Sequence, residues 1–240
     1  MLVVVDVDGF RYAKILSRSA RIIGLVVQIN TDPCSSVVIL YTFREFEGHE
    51  LTCSSDGTRQ KLLAHLGLAE IMCYAALCAQ YALRRQLENV LWVCHLGALA
   101  VGLGCVLRWP TSIAIGAFWL TLGVPLWIYY LATGGEFLPV SFLSHAGGLA
   151  LGYVGLKRFG LSKGIWWKAT LALVLLYFFS RRVTPPEENV NLAHAVHPGW
   201  ESTFPSHSVY VFAMLLLFMG VFIVLQFGLR RLGFGPPVKP

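Results

Sequence analysis

Cys94 and His95 stand side by side, and a third chemically capable residue, His145, follows 50 positions later. A thiol and an imidazole are a working nucleophile and base, because the imidazole removes the proton that keeps sulfur unreactive. Further on, Asn189, Asn191, His194, His197 and His207 crowd into one polar stretch. An asparagine amide can orient an imidazole or donate to an oxyanion. These residue types make Cys94, His145 and Asn191 the catalytic candidates. His95, Asn189, His197 and His207 are candidates for contact with substrate. Glu70 lies inside an apolar run, where a carboxylate is costly and is by default a functional candidate.

A second chemistry is open to the same residues. His194-x-x-His197 has the spacing of a metal half-site, with His207, His145 or His95 to complete it and Glu187 and Glu188 nearby. Iron oxidases of membranes carry several dense histidine boxes, whereas this chain has one loose pair. The leading reading therefore requires no metal and no cofactor. The six cysteines show neither CxxC nor zinc-ribbon spacing, so no disulfide framework is expected. Two fragments point elsewhere. His145-Ala-Gly-Gly-Leu-Ala-Leu-Gly fits the HxxGxxxG pattern of the rhomboid-protease histidine helix, but no GxS nucleophile precedes it. Phe204-Pro-Ser-His-Ser resembles the PSGH core of lipid phosphatases without its glycine or a later histidine.

Something must hold these groups together, and composition says what. Apolar residues make up 56% of the 240 and charged ones only 13%, with a mean hydropathy of +0.63. So few charges cannot cover a soluble surface, which excludes a cytosolic enzyme, a secreted disulfide domain and a disordered chain. The net charge of +6 sits in residues that flank apolar runs, the pattern of membrane topology and anionic head groups. No basic cluster alternates with aromatics, so nucleic acid is not an expected partner; membrane lipids are. The opening residues lack a basic n-region and include Asp6 and Asp8, so no cleavable signal is expected.

The expected fold is all-α: a polytopic membrane bundle of six transmembrane helices with a short N-terminal appendage. Residues 1–60 form that appendage, with β-rich runs at 2–5 and 37–42. Residues 61–231 form the membrane domain, and 232–240 a tail. The six spans are predicted at 62–83, 89–107, 111–131, 139–156, 161–180 and 209–229, each near the length a bilayer requires. The lysine and arginine bias predicts both termini on the cytoplasmic side. Recurrent small residues (Gly97-Ala98, Gly102, Gly104, Gly147-Gly148, Gly152, Gly155) suit close helix approach.

Parity links this architecture to the chemistry. With one span between each pair, helices two, four and six start at the same membrane face, together with loops 84–88, 132–138 and 181–208. A second helix starting at residue 89 puts Cys94 and His95 roughly 8 Å in, and a fourth starting at residue 139 puts His145 roughly 9 Å in. The thiol and imidazole then share a depth near the lipid ester carbonyls.

Residues 62–229 resemble the YwaF-type integral membrane family and its eukaryotic relatives. The likeness rests on four places: Cys94-His95 opening the second helix; Gly116-Ala-Phe-Trp-Leu-Thr-Leu-Gly123 in the third; Phe142-Leu-Ser-His145 before a small-residue helix; and Glu188-Asn-Val-Asn191 followed by His197-Pro198. A eukaryotic member is a lipid acyltransferase that uses a membrane cysteine, and the more distant androgen-induced gene hydrolases cleave fatty-acid esters with a threonine and a histidine. The resemblance implies an acyl-accepting Cys94, His145 as its base, and Asn189 or Asn191 in support. The rival expectation is a non-catalytic membrane protein: a transporter, scaffold or assembly factor.

Overall fold

The computed structural model describes residues 57–236 with their side chains; before them it describes the backbone of four strands and of the start of the first helix. The chain divides into two units, Met1–Ser54 and Ser55–Pro240. In the first unit, β1 (Leu2–Val7), β2 (Phe10–Ile15), β3 (Ile22–Asn30) and β4 (Ser36–Arg44) pair in chain order as an antiparallel meander. Its registers set Val5 opposite Tyr12 and Val27 opposite Ile39. The two β-rich runs of the sequence fall on β1 and β4. Cys34 lies outside the described residues, and of Cys53 only the backbone is described.

In the second unit, among residues 57–236, every regular element is helical. The helices are α1 (Thr52–Leu83), α2 (Val93–Leu107), α3 (Pro110–Ala132), α4 (Pro139–Phe142), α5 (Gly148–Phe159), α6 (Ile165–Val183) and α7 (His207–Arg231). A π-helical turn, Leu143–Gly147, fuses α4 to α5. Each predicted span is thus helical, but the expected count of six crossings is met only in part. Three helices are long and apolar enough to cross a membrane: Gly57–Leu83 of α1, α3 and α7. The physical reasons differ among the others. The 15 residues of α2 rise about 22 Å, short of a hydrocarbon layer of about 30 Å. The α4–α5 rod is interrupted by the π turn and ends in Lys157 and Arg158, and α6 carries Lys168, Arg181 and Arg182.

Small residues set the packing. Arg108 takes a left-handed conformation (φ 54°), and Pro110 starts α3 at once, so α2 and α3 fold back on each other. The backbones then touch where Gly97 meets the Gly116 carbonyl, while Gly67 of α1 meets Gly102 of α2. A Cβ added at Gly67 would lie 2.7 Å from the Gly102 carbonyl oxygen. Around these contacts Ala98, Val101, Cys105, Ile113, Ala117 and Phe118 are fully buried. Along the α4–α5 rod, Ser141, Ser144, His145, Gly148, Leu151, Gly152, Gly155 and Leu156 are buried at three- and four-residue spacing, one continuous inward stripe. The HxxGxxxG fragment lies on it, with Gly148 against Ala98 and Gly152 against Ala117. Outward, Met72, Phe212, Leu217 and Val224 are more than half exposed, an apolar exterior suited to lipid.

Hydrogen bonds sort the loops into two ends. At one end, Arg84 grips Glu136 through both guanidinium nitrogens, with Nη2 donating to Oε1 at 2.9 Å. The Asn191 side chain bonds both Val93 and Leu91 there. Loops 84–92, 133–138 and 184–206 therefore gather at one end. At the other end the Leu161 N–H donates to the Gly235 carbonyl (2.7 Å) and the Trp166 N–H to Gln226 (3.2 Å). Residues 232–236, expected as a tail, fold back so that Phe234 packs on Tyr153.

Candidate functional site

Helix α2 begins four residues later than predicted, because Leu87–Leu91 closes into a 3-10 turn first. Cys94 and His95 consequently sit in its first turn, not a turn and a half inside. That turn lies at the loop-gathered end, beside the π turn that carries His145. The sulfur of Cys94 and one ring nitrogen each of His95 and His145 all lie within 4.8 Å of one another. His95 is 4% exposed and His145 1%, while Cys94 is half-buried. The two imidazoles meet edge to face with centroids 5.3 Å apart, and Trp127 of α3 stacks on His145 at 4.7 Å.

The tautomers follow from the hydrogen bonds. His95 Nδ1 lies 2.9 Å from the Asn89 carbonyl, and His145 Nδ1 lies 2.7 Å from the Ser141 carbonyl. A carbonyl only accepts, so each Nδ1 carries the proton and each Nε2 the lone pair. His145 Nε2 is buried and has no hydrogen-bond partner among the described residues. A buried imidazole nitrogen without a partner is the exception in folded proteins, and an ordered water, a bound ion or a catalytic role accounts for such a group. No hydrogen bond joins the Cys94 sulfur to His145. Catalytic hydrogen bonds are often long in the free protein and tighten on the substrate.

Neighbours hold this cluster in place. Asn191 uses its whole amide: Oδ1 accepts from the Val93 N–H at 2.8 Å, and Nδ2 donates to the Leu91 carbonyl (2.8 Å) and to Ser180 Oγ (2.9 Å). It caps the first turn of α2 next to Cys94, so its expected part in the chemistry becomes a positioning one. Gly123 of α3 faces Cys94 so closely that an added Cβ would lie 2.7 Å from the cysteine Cβ. Glu70 is buried on α1, where Ser144 Oγ donates to it at 2.9 Å. That places the intramembrane carboxylate one residue from His145.

The remaining candidates do not reach the cluster. Asn189 accepts from the N–H groups of His194 and Ala195, both at 2.9 Å, and so shapes its own loop. Its left-handed backbone (φ 42°) is one asparagine tolerates. His197 bonds the Pro198 carbonyl, and His207 Nε2 donates to the Leu192 carbonyl. His194 Nε2 faces Thr184 Oγ1 at 3.3 Å. The alternative His194-x-x-His197 half-site is not assembled: each imidazole has a local partner. Among the described residues the grouping suited to a metal is Cys94, His95 and His145. Phe204-Pro-Ser-His-Ser has a structural explanation, since Ser206 Oγ accepts the Val209 N–H and caps α7.

Sequence reasoning missed Ser141, Ser144, Trp127 and Gly123. Ser141 was findable, standing four residues before His145 on the same helix face. Gly123 and Trp127 give no such local sign, because their contacts cross between helices. Compared with family models, curated proteins and solved structures, the chain matches none.

Proposed function

We propose that this chain is a multi-pass membrane protein whose bundle crosses the bilayer six times, and that it transfers or hydrolyses lipid acyl esters at Cys94. The observation that carries this reading is the convergence of a thiol and two buried imidazoles at one end of the bundle, one of them with an uncommitted Nε2. His145 Nε2 takes the proton of the Cys94 thiol as the sulfur attacks the ester carbonyl carbon. The carbonyl–oxygen bond of the lipid breaks, and the departing alkoxide recovers the proton from His145. The acyl group then rests on Cys94 as a thioester. Attack by a second alcohol completes transfer, and attack by water completes hydrolysis; either regenerates the thiol.

Two features support a lipid substrate. An apolar groove between α6 and α7, lined by Leu173, Tyr177, Tyr210, Met214 and Phe218, includes Asn191, whose amide caps the turn that carries Cys94. The buried polar groups also gather around the cluster instead of forming a path through the bundle: Gln226 serves the backbone of Trp166 and Ser112 that of Ala100. This favours an enzyme over a transporter. The test is release of fluorescent fatty acid, or its transfer to an added lysolipid, from labelled phospholipid vesicles. Purified chain in nanodiscs is expected to turn the substrate over, and Cys94→Ala to abolish turnover. Turnover unchanged in Cys94→Ala removes the nucleophile.

A further inference from the structure

The same three side chains have a second competence that does not depend on acyl transfer. Both imidazoles spend Nδ1–H on a backbone carbonyl, His95 on Asn89 and His145 on Ser141. Metal-binding histidines do the same, since the carbonyl fixes the tautomer and turns the Nε2 lone pair toward the ion. Among the described residues His145 Nε2 has no hydrogen-bond partner, although the residue is 1% exposed. A thiol completes the group, within 4.8 Å of both rings. We propose that Cys94, His95 and His145 bind one zinc ion, through Sγ and the two Nε2 atoms, leaving a fourth position open.

The donor set selects the metal. One thiolate and two imidazoles suit zinc and related borderline-soft ions, and not calcium or magnesium, which require oxygen. Tetrahedral zinc with Zn–S near 2.3 Å and Zn–N near 2.0 Å places neighbouring donor atoms about 3.5 Å apart. The cluster therefore needs to contract by at most about 1.3 Å. His145 sits in the π turn of the α4–α5 rod, a local widening of the helix recurrent at functional sites, and Cys94 in the first turn of α2. Three protein donors and one open position are the arrangement of catalytic and inhibitory zinc, whereas structural zinc fills all four. Binding takes the thiol proton to solvent and occupies the sulfur, so zinc and the acyl group exclude each other at Cys94.

The experiment uses the full chain in detergent, stripped with a chelator and titrated with Co2+ and with Zn2+. One Co2+ per chain is expected, with a thiolate-to-cobalt charge-transfer absorption that Cys94→Ser removes. His95→Ala and His145→Ala are expected to weaken binding by about tenfold or more. Zinc is also expected to protect Cys94 of the unaltered chain from maleimide, read at the Cys94 peptide by mass spectrometry, which needs no variant to fold. Absence of the charge-transfer band, its survival in Cys94→Ser, or maleimide modification of Cys94 at the same rate with and without zinc overturns the site. A chain that binds zinc but turns over no lipid retires acyl transfer alone; one that turns over lipid but takes up no metal retires this inference alone.

Discussion

The structure brings Cys94, His95 and His145 together and, Asn191 excepted, keeps the polar candidates of 189–207 apart from them. Cys94 and His145 lie 51 residues apart, yet the first turn of α2 and the π turn between α4 and α5 bring their functional atoms within 4.8 Å. The histidines of 194–207 also looked available, but each imidazole there is held by a partner: His194 by Thr184, His197 by the Pro198 carbonyl, and His207, in the first turn of α7, by the Leu192 carbonyl. Sequence spacing cannot reveal that competition. His145 acts as general base on this account, so His145→Ala is expected to slow acylation of Cys94 by about 10²- to 10⁴-fold. A stopped-flow measurement of thioester formation would read it, and an unchanged rate would remove the base. Asn191→Ala is expected to lower stability by about 1–3 kcal/mol, since it orphans the Val93 N–H and the Leu91 carbonyl. Thermal unfolding in detergent checks this.

The buried stripe from Ser141 to Leu156 shows why a π turn does not scramble the face: the inward positions continue at three- and four-residue spacing on both sides of it. The helical segments were legible in the sequence because long apolar runs between turn residues leave little alternative. The number of crossings was not, because an apolar run reports helix and burial before it reports span. The 3-10 turn before α2 shortened one such run, and no residue type in Leu87–Leu91 announces it. Helix contacts were legible as a class, through glycine, but not as pairs. The contact of Gly123 with Cys94 is the pair that matters to the site. Gly123→Ala introduces a Cβ 2.7 Å from that of Cys94 and must push the α2 turn aside. It is expected to cost about 1–3 kcal/mol and to lower the acylation rate while the helix content stays the same. Circular dichroism beside the acylation rate separates displacement of the sulfur from unfolding.

For the whole molecule, the two ends of the helical unit are the meaningful units, and the first is fastened by charge. Arg84 holds the carboxyl of Glu136 below the ordinary carboxylate range through the hydrogen bonds of its guanidinium. A folded pKa that is depressed stabilises the fold above the unfolded value and loses that contribution as pH falls through the folded one. Glu136→Gln is therefore expected to differ from the parent in melting temperature at neutral pH, and to converge with it once pH falls below the ordinary carboxylate range. The pair is exposed, so high salt should shrink the neutral-pH difference. Topology gives a larger test. Arg85→Cys, Gly134→Cys and Gly199→Cys lie in the three loops of one end, so an impermeant maleimide should label all three from the same side of sealed vesicles. Labelling of any one from the opposite side would break the parity on which the six-crossing reading rests.

The most direct measurement is the mass of the Cys94 peptide after the purified chain has been mixed with phospholipid vesicles and quenched in acid. One added fatty-acyl group is expected on Cys94, removable by hydroxylamine and nearly absent in His145→Ala. An unmodified Cys94 at every time point, or an adduct as abundant in His145→Ala as in the parent, would contradict it.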